Sequence, residues 1–118
     1  MRARLTFALA CAALCSACAN KPVPLYQWDT YQRQLYEAMK GDGVSPNEQM
    51  TALQAQESTA RSKGLALPPG FRAHKGIVLL RLGQTDEARQ QFEAEKLAFP
   101  ESGTYMDFVL KSMSGGKS

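Results

Sequence analysis

Apolar side chains recur at three- and four-residue spacing from Asp29 to Ser112, in blocks separated by Gly and Pro. That period lines up the apolar members of each block on one face of a helix. The first block, Asp29 to Lys40, carries Tyr31, Leu35, Ala38 and Met39 on a common face and stops at Gly41-Asp42-Gly43. The second has Ser45 placed to cap, Pro46 at the first helical position and Glu48 three residues after the cap, and it runs to Lys63 before Gly64. Its apolar set is sparse: Met50, Leu53 and Ala60. The third follows Pro68-Pro69-Gly70 and spans Phe71 to Leu82, with Phe71, Ile77, Val78, Leu79 and Leu82 to bury before Gly83 ends it. In the fourth, Asp86 to Ala98, Thr85 is the expected cap, Asp86 and Glu87 sit at the positive end of the dipole, and Ala88, Phe92, Glu95 and Phe99 follow in turn up to Pro100. The fifth, Gly103 to Ser112, is expected to turn Tyr105, Phe108 and Val109 towards the preceding pair, with Met106 and Leu110 alongside. No β-branched run alternates strictly, so the pattern predicts an all-α domain of five helices.

Ahead of these blocks the chain changes character. Arg2 and Arg4 precede Leu5 to Leu14, a ten-residue stretch in which Thr6 is the single polar member. A helix needs roughly 20 apolar residues to cross a bilayer, so this is the h-region of an export signal. Leu14-Cys15-Ser16-Ala17-Cys18 closes it and resembles the lipobox of bacterial lipoproteins, with Cys15 where leucine is usual. Small residues at Ser16 and Ala17 suit an extended chain in a narrow peptidase site, and Cys18 supplies the thiol that accepts diacylglycerol. An ordinary secretory signal cleaved nearby is the alternative. The resemblance implies a signal peptide over 1–17, a palmitate-bearing tether over 18–27, a helical domain over 28–112 and a flexible tail over 113–118. Pro22 and Pro24 keep the tether extended. Gly115-Gly116-Lys117-Ser118 ends like a phosphate-binding loop but lacks the upstream glycine and a following helix.

Processing at Cys18 changes the composition that matters. All three cysteines, Cys11, Cys15 and Cys18, belong to the export segment, so the mature domain has neither disulfide nor free thiol. Removing Arg2 and Arg4 from the 14 basic side chains leaves 12 against 11 acidic ones, which replaces a formal +3 by near neutrality. The remaining charges are interspersed, as in Glu93-Ala94-Glu95-Lys96, and form no stripe for a phosphate backbone. Nucleic acid is therefore not an expected partner. Ala19 stands where Asp would favour inner-membrane retention in enterobacterial lipoproteins. That resemblance implies an outer-membrane protein, anchored through its N-terminal lipid, with its domain facing the periplasm.

Leu65-Ala66-Leu67-Pro68 is echoed by Leu97-Ala98-Phe99-Pro100 at an offset of 32 residues, a period that suits stacked helical hairpins. The segment from Pro69 to Pro100 resembles a tetratricopeptide repeat: Gly76 at the closest helix approach, Gly83 at the turn, Ala88 at the tight contact, Phe92 on the buried face and Pro100 at the end. Arg72 and Glu95 depart from it, where a large aromatic and Ala are usual, and a generic helical bundle with coincident spacing is the alternative. The mature chain as a whole resembles a small family of proteobacterial lipoproteins of unassigned activity. Leu25-Tyr26-Gln27-Trp28-Asp29-Thr30-Tyr31, Pro68-Pro69-Gly70-Phe71-Arg72-Ala73-His74 and Phe99-Pro100-Glu101-Ser102 with Met106-Asp107-Phe108 carry that resemblance. Asp29 departs from it, since Gly commonly follows the tryptophan. The resemblance implies a companion of a lipoprotein similar to the curli secretion pore, and a role in envelope assembly.

No catalytic constellation is visible. His74 is the single histidine, no metal-ligand or triad spacing accompanies it, and the acidic Asp86, Glu87, Glu93 and Glu95 are explained by a solvated helix face. The chain is expected not to be an enzyme and to need no cofactor, metal or small-molecule substrate. Tyr26, Trp28, Tyr31 and Tyr36 crowd beside the tether; Trp28 and Tyr31 are expected to close the first helix over the third and fourth, while Tyr26 and Tyr36 are open as partner contacts. By resemblance to tetratricopeptide modules, Ala73, Ile77, Leu80 and Arg81 would line a partner-binding groove. The expected function is a non-catalytic adaptor that holds another envelope protein; an accessory lipoprotein controlling a cell-wall synthesis enzyme is the alternative. Cys18→Ala is expected to abolish fatty-acid labelling and membrane fractionation, and Cys15→Ala to preserve both. Labelling that survives the first change and vanishes with the second would move the anchor.

Overall fold

The computed structural model describes residues 22, 24–28, 31–41 and 43–115, with the side chain of Ala38 outside the described set. The export segment with Cys18, Asp29, Thr30 and the end of the tail at 116–118 also lie outside the described residues. The protein is all-α. Among the described residues five helices follow in order: α1 (Tyr31–Lys40), α2 (Pro46–Lys63), α3 (Phe71–Arg81), α4 (Thr85–Ala98) and α5 (Gly103–Gly115), with a short 3₁₀ turn, Pro100–Ser102, before α5. Each helix packs on its neighbours in sequence, and the α3–α4 pair has the most extensive contact.

The terminal signals explain the boundaries. At Ser45 the capping box forms fully: the Glu48 N–H donates to Ser45 Oγ at 3.2 Å, and the Ser45 N–H donates to Glu48 Oε2 at 2.9 Å. Those bonds stabilise the carboxylate and lower the Glu48 pKa. Gly64, at φ 64°, closes α2 in the left-handed conformation. Thr85 does not cap α4. It is the first helical residue, and Gln84 occupies the cap position without a side-chain hydrogen bond.

Tyr31, Leu53, Phe71, Val78, Phe92 and Met106 are at the centre of the core. Gly76 meets the Phe92 ring so closely that a Cβ there would lie 2.6 Å from Phe92 Cε1. Ala88 is completely buried at the same helix pair. Along the other interface, Lys75 Nζ reaches both Glu57 oxygens at 2.8 Å, joining α3 to α2. Lys96 similarly pairs with Asp107 between α4 and α5.

Several expected faces are rearranged. Met39 is exposed; among the described side chains of α1, Tyr31 and, in part, Leu35 contribute to the core. Ile77 is exposed although Val78 and Leu79 are buried, since α3 is covered by α2 and α4 but open beyond them. In α5 the inward face is Gly103, Met106 and Leu110, with Val109 partly buried, while Tyr105 and Phe108 point outward. Seating Gly103 inward brings α5 close to the Lys96 stem, and that rotation decides which aromatics are left out. The echoed tetrapeptides occupy unlike places too: Pro68 is fully buried in a loop, whereas Pro100 is exposed at the start of the 3₁₀ turn.

Domain limits also shift. Tyr26 forms an isolated parallel bridge with Ala66, the Gln27 N–H donates to the Ala66 carbonyl at 2.9 Å, and Gln56 Nε2 donates to the Gln27 carbonyl at 3.0 Å. Tyr26 and Gln27 therefore belong to the folded body and not to the tether. At the other end, 113–115 continue α5.

The glycine contact can be tested by coupling. Gly76→Leu and Ala88→Leu should each destabilise by about 1–3 kcal/mol through overpacking, and Phe92→Ala by about 3–5 kcal/mol through a cavity. With the ring removed, Gly76→Ala should become neutral or stabilising, since the added methyl has space and alanine favours the helix. Thermal melts of this cycle that show simple additivity would contradict the contact.

Candidate functional site

Helix α3 carries the residues singled out from the sequence. Ala73, Ile77, Leu80 and Arg81 lie at i, i+4, i+7 and i+8, one stripe of a helix. The stripe is not uniform. Ala73 is partly buried and packs on the core, whereas Ile77 (41% exposed), Leu80 (36% exposed) and Arg81 are accessible. Two branched aliphatics beside a guanidinium make a surface with an apolar centre and a charged edge, the composition of a modest protein contact.

The aromatic cluster divides between core and surface. Tyr31 is 3% exposed and rests on Phe71, with ring centroids 5.3 Å apart, and on His74 at 6.4 Å. Trp28 covers Tyr31 at 6.3 Å but keeps 38% of its own surface, so it is a half-open cover. Tyr26 is wedged between Trp28 and Phe99, both in edge-on geometry at about 6 Å. Tyr36 stands apart, 63% exposed, with Lys40 Nζ 6.0 Å from its ring. Tyr26 is therefore committed to packing, and Tyr36 is open.

His74 lies against a cavity of 40 Å³ between α1, α2 and α3, where Gln34, Val44, Gln49 and Leu53 are among the other walls. That volume has room for water and is well below the usual size of a small-molecule pocket. Burial lowers the His74 pKa below 6.5, with a smaller contribution from the Arg81 charge, so the neutral imidazole is favoured. Among the described residues no three His, Cys, Asp or Glu side chains converge as a metal site. None of the described helices is long and apolar enough to cross a membrane.

Residues 25–109 match the family described as a domain of unknown function, DUF4810. The chain belongs to that family. No curated protein and no solved structure matches it significantly. The DUF4810 segment runs from the residue before Tyr26 to the middle of α5, so it includes the Tyr26–Gln27 docking strip, the first four helices and the first half of the fifth.

Within this DUF4810 domain the largest departure from expectation is Glu95. It is 2% exposed, and its Oε1 accepts the Gly70 N–H at 2.6 Å, so it is not part of a solvated face. Gly70 is the N-cap of α3, with φ 86° and no side chain to cap with, and Glu95 on the neighbouring helix satisfies the N–H of Gly70 itself. One signal was available in the sequence: Glu95 continues the line of Ala88, Phe92 and Phe99, a position that points inward.

Burial, and secondarily the Glu95 charge, pushes the Tyr31 hydroxyl from 10.0 up to about 12. A raised pKa means that the folded state keeps this proton where the unfolded chain loses it, so its stabilising effect is complete below pH 10 and disappears as pH rises towards 12. The expected loss across that window is roughly 2–3 kcal/mol, and Tyr31→Phe should show little of it. Parallel alkaline denaturation curves for the two proteins would contradict this burial.

Proposed function

We propose that the protein is a non-catalytic lipoprotein of the outer membrane, held there by acylated Cys18, whose helical domain acts as an adaptor for another envelope protein. The observation that carries the reading is the exposed Ile77–Leu80–Arg81 surface on α3, a helix otherwise fixed by packing on both sides. A tetratricopeptide-like architecture is the finer reading of the fold. In its favour are the tight α3–α4 crossing at Gly76, Ala88 and Phe92 and the left-handed Gly83 at the turn between them.

The docked N-terminus adds a distance limit. From Cys18 to the strip at Tyr26 the chain can extend by at most about 29 Å, so a lipid on Cys18 would keep the domain near the bilayer surface. An adaptor so placed suits a partner that is itself membrane-bound. The family resemblance supplies the class of partner: a lipoprotein similar to the curli secretion pore, with a role in assembly or secretion.

Changing Ile77, Leu80 and Arg81 together to Ser, Ser and Glu should eliminate partner recovery from crosslinked membranes and fail to complement a deletion strain, with helix content unchanged. His74→Ala should retain both. Loss with His74→Ala and full activity in the triple variant would replace the adaptor with a histidine-centred activity; recovery of a cell-wall synthase would favour the accessory role.

A further inference from the structure

An open groove of 280 Å³ runs between the N-terminal end of α3 and the start of α5. Ala73, Phe99, Tyr105 and Met106 form its apolar walls, and two carboxylates, Glu95 and Glu101, also line it. Glu101 is exposed at the rim, while Glu95, almost without exposed surface, belongs to the floor. No basic side chain is among the groove's lining residues. Lys96, the next residue along α4, is paired with Asp107.

Glu95 has more acceptor capacity than the fold uses. Oε1 accepts from the Gly70 N–H, but Oε2 is buried with no hydrogen-bond partner among the described residues. A buried carboxylate oxygen without a donor is unfavourable, by an amount that a neutral capping residue would avoid. A glutamine, with the same reach, could accept from the Gly70 N–H through its amide oxygen without burying a charge. The excess acceptor and the charge therefore suggest a ligand.

We propose that this groove receives an arginine side chain from a partner protein. Its guanidinium donates to Glu95 Oε2 and to the Glu101 carboxylate, and its stem lies along Ala73 and Met106 beside the Phe99 and Tyr105 rings. Both carboxylates call for a cation. The apolar and aromatic walls select one with a hydrocarbon stem and a flat, weakly hydrated head, which distinguishes arginine from a metal ion that needs more oxygen ligands. Tyr105 is 61% exposed, so its ring can turn aside to admit the head group. The groove shares only Ala73 with the α3 stripe, and it is independent of the adaptor reading based on Ile77, Leu80 and Arg81.

The test uses the full chain in detergent micelles and two small probes, N-acetylarginine methylamide and its neutral isostere N-acetylcitrulline methylamide. The Met106 methyl and Gly70 amide resonances report occupancy, the methyl being assigned through Met106→Leu. The arginine probe should shift both and bind about tenfold more tightly than the citrulline probe, the difference expected of a charge-assisted pair. Glu95→Gln should remove that preference, and Glu101→Lys, at an exposed site that cannot disturb packing, should weaken the arginine probe alone. If Glu95→Gln unfolds the domain, the Glu101→Lys result decides. Equal binding of the two probes, shifts confined to resonances away from the groove, indifference to Glu101→Lys, or the same shifts produced by calcium would each overturn the proposal.

Discussion

The contact between Gly76 and the Phe92 ring governs the rest of this structure. Without a Cβ at Gly76, α3 and α4 approach until the ring fills the space a side chain would occupy, and Ala88 is buried at the same pair. Close-packed interiors transmit such constraints, because neither helix can rotate without opening a void or forcing an overlap. With the pair held, the outward direction of Ile77 and Leu80 is set by the inward direction of Gly76, Val78 and Leu79. The exposed apolar surface on α3 is thus a consequence of core packing.

Two long-range polar contacts attach the remaining elements to that hairpin. Glu95 reaches from α4 to the start of α3 and accepts from the backbone N–H of Gly70, the N-cap residue. Lys75 and Glu57 hold α2 against α3 at a half-buried site, where a bidentate pair is screened less than on an open surface. Gln56 then binds the Gln27 backbone, so the chain that would lead from a lipid anchor is tied to α2 before α1 begins. A pull on the N-terminus would be felt by the body through Gln27, Gln56 and the Tyr26–Phe99 packing.

The two candidate surfaces differ in the kind of recognition they offer. The Ile77–Leu80–Arg81 surface is exposed side-chain area along one helix, suited to burial against a partner. The groove beside Glu95 is concave, with a carboxylate floor between aromatic walls, and suits one projecting cationic residue. Both include residues of α3, a helix held by packing against α2 and α4, where a binding surface is presented at a reduced ordering cost.

The sequence by itself determined the helix inventory and most boundaries, because those follow from short-range effects: the three-four apolar period, the Ser45–Glu48 capping box, Pro46 at a first turn and glycine stops at Gly64 and Gly83. It also marked Gly76, Ala88 and Phe92 as a packing set, through the resemblance of Pro69 to Pro100 to a tetratricopeptide repeat. What it left undecided was rotation and docking. Whether Tyr105 or Met106 turns inward depends on how α5 lies across α4, and periodicity allows either. Glu95 shows the same limit: its position in the apolar line pointed inward and its charge pointed outward, and only the Gly70 N–H, 25 residues away in the chain, resolves the conflict. Likewise, Tyr26 and Gln27 read as tether because their partners, Ala66 and Gln56, are distant in sequence. Local propensity acts over a helical turn, whereas these contacts exist only after the helices have assembled.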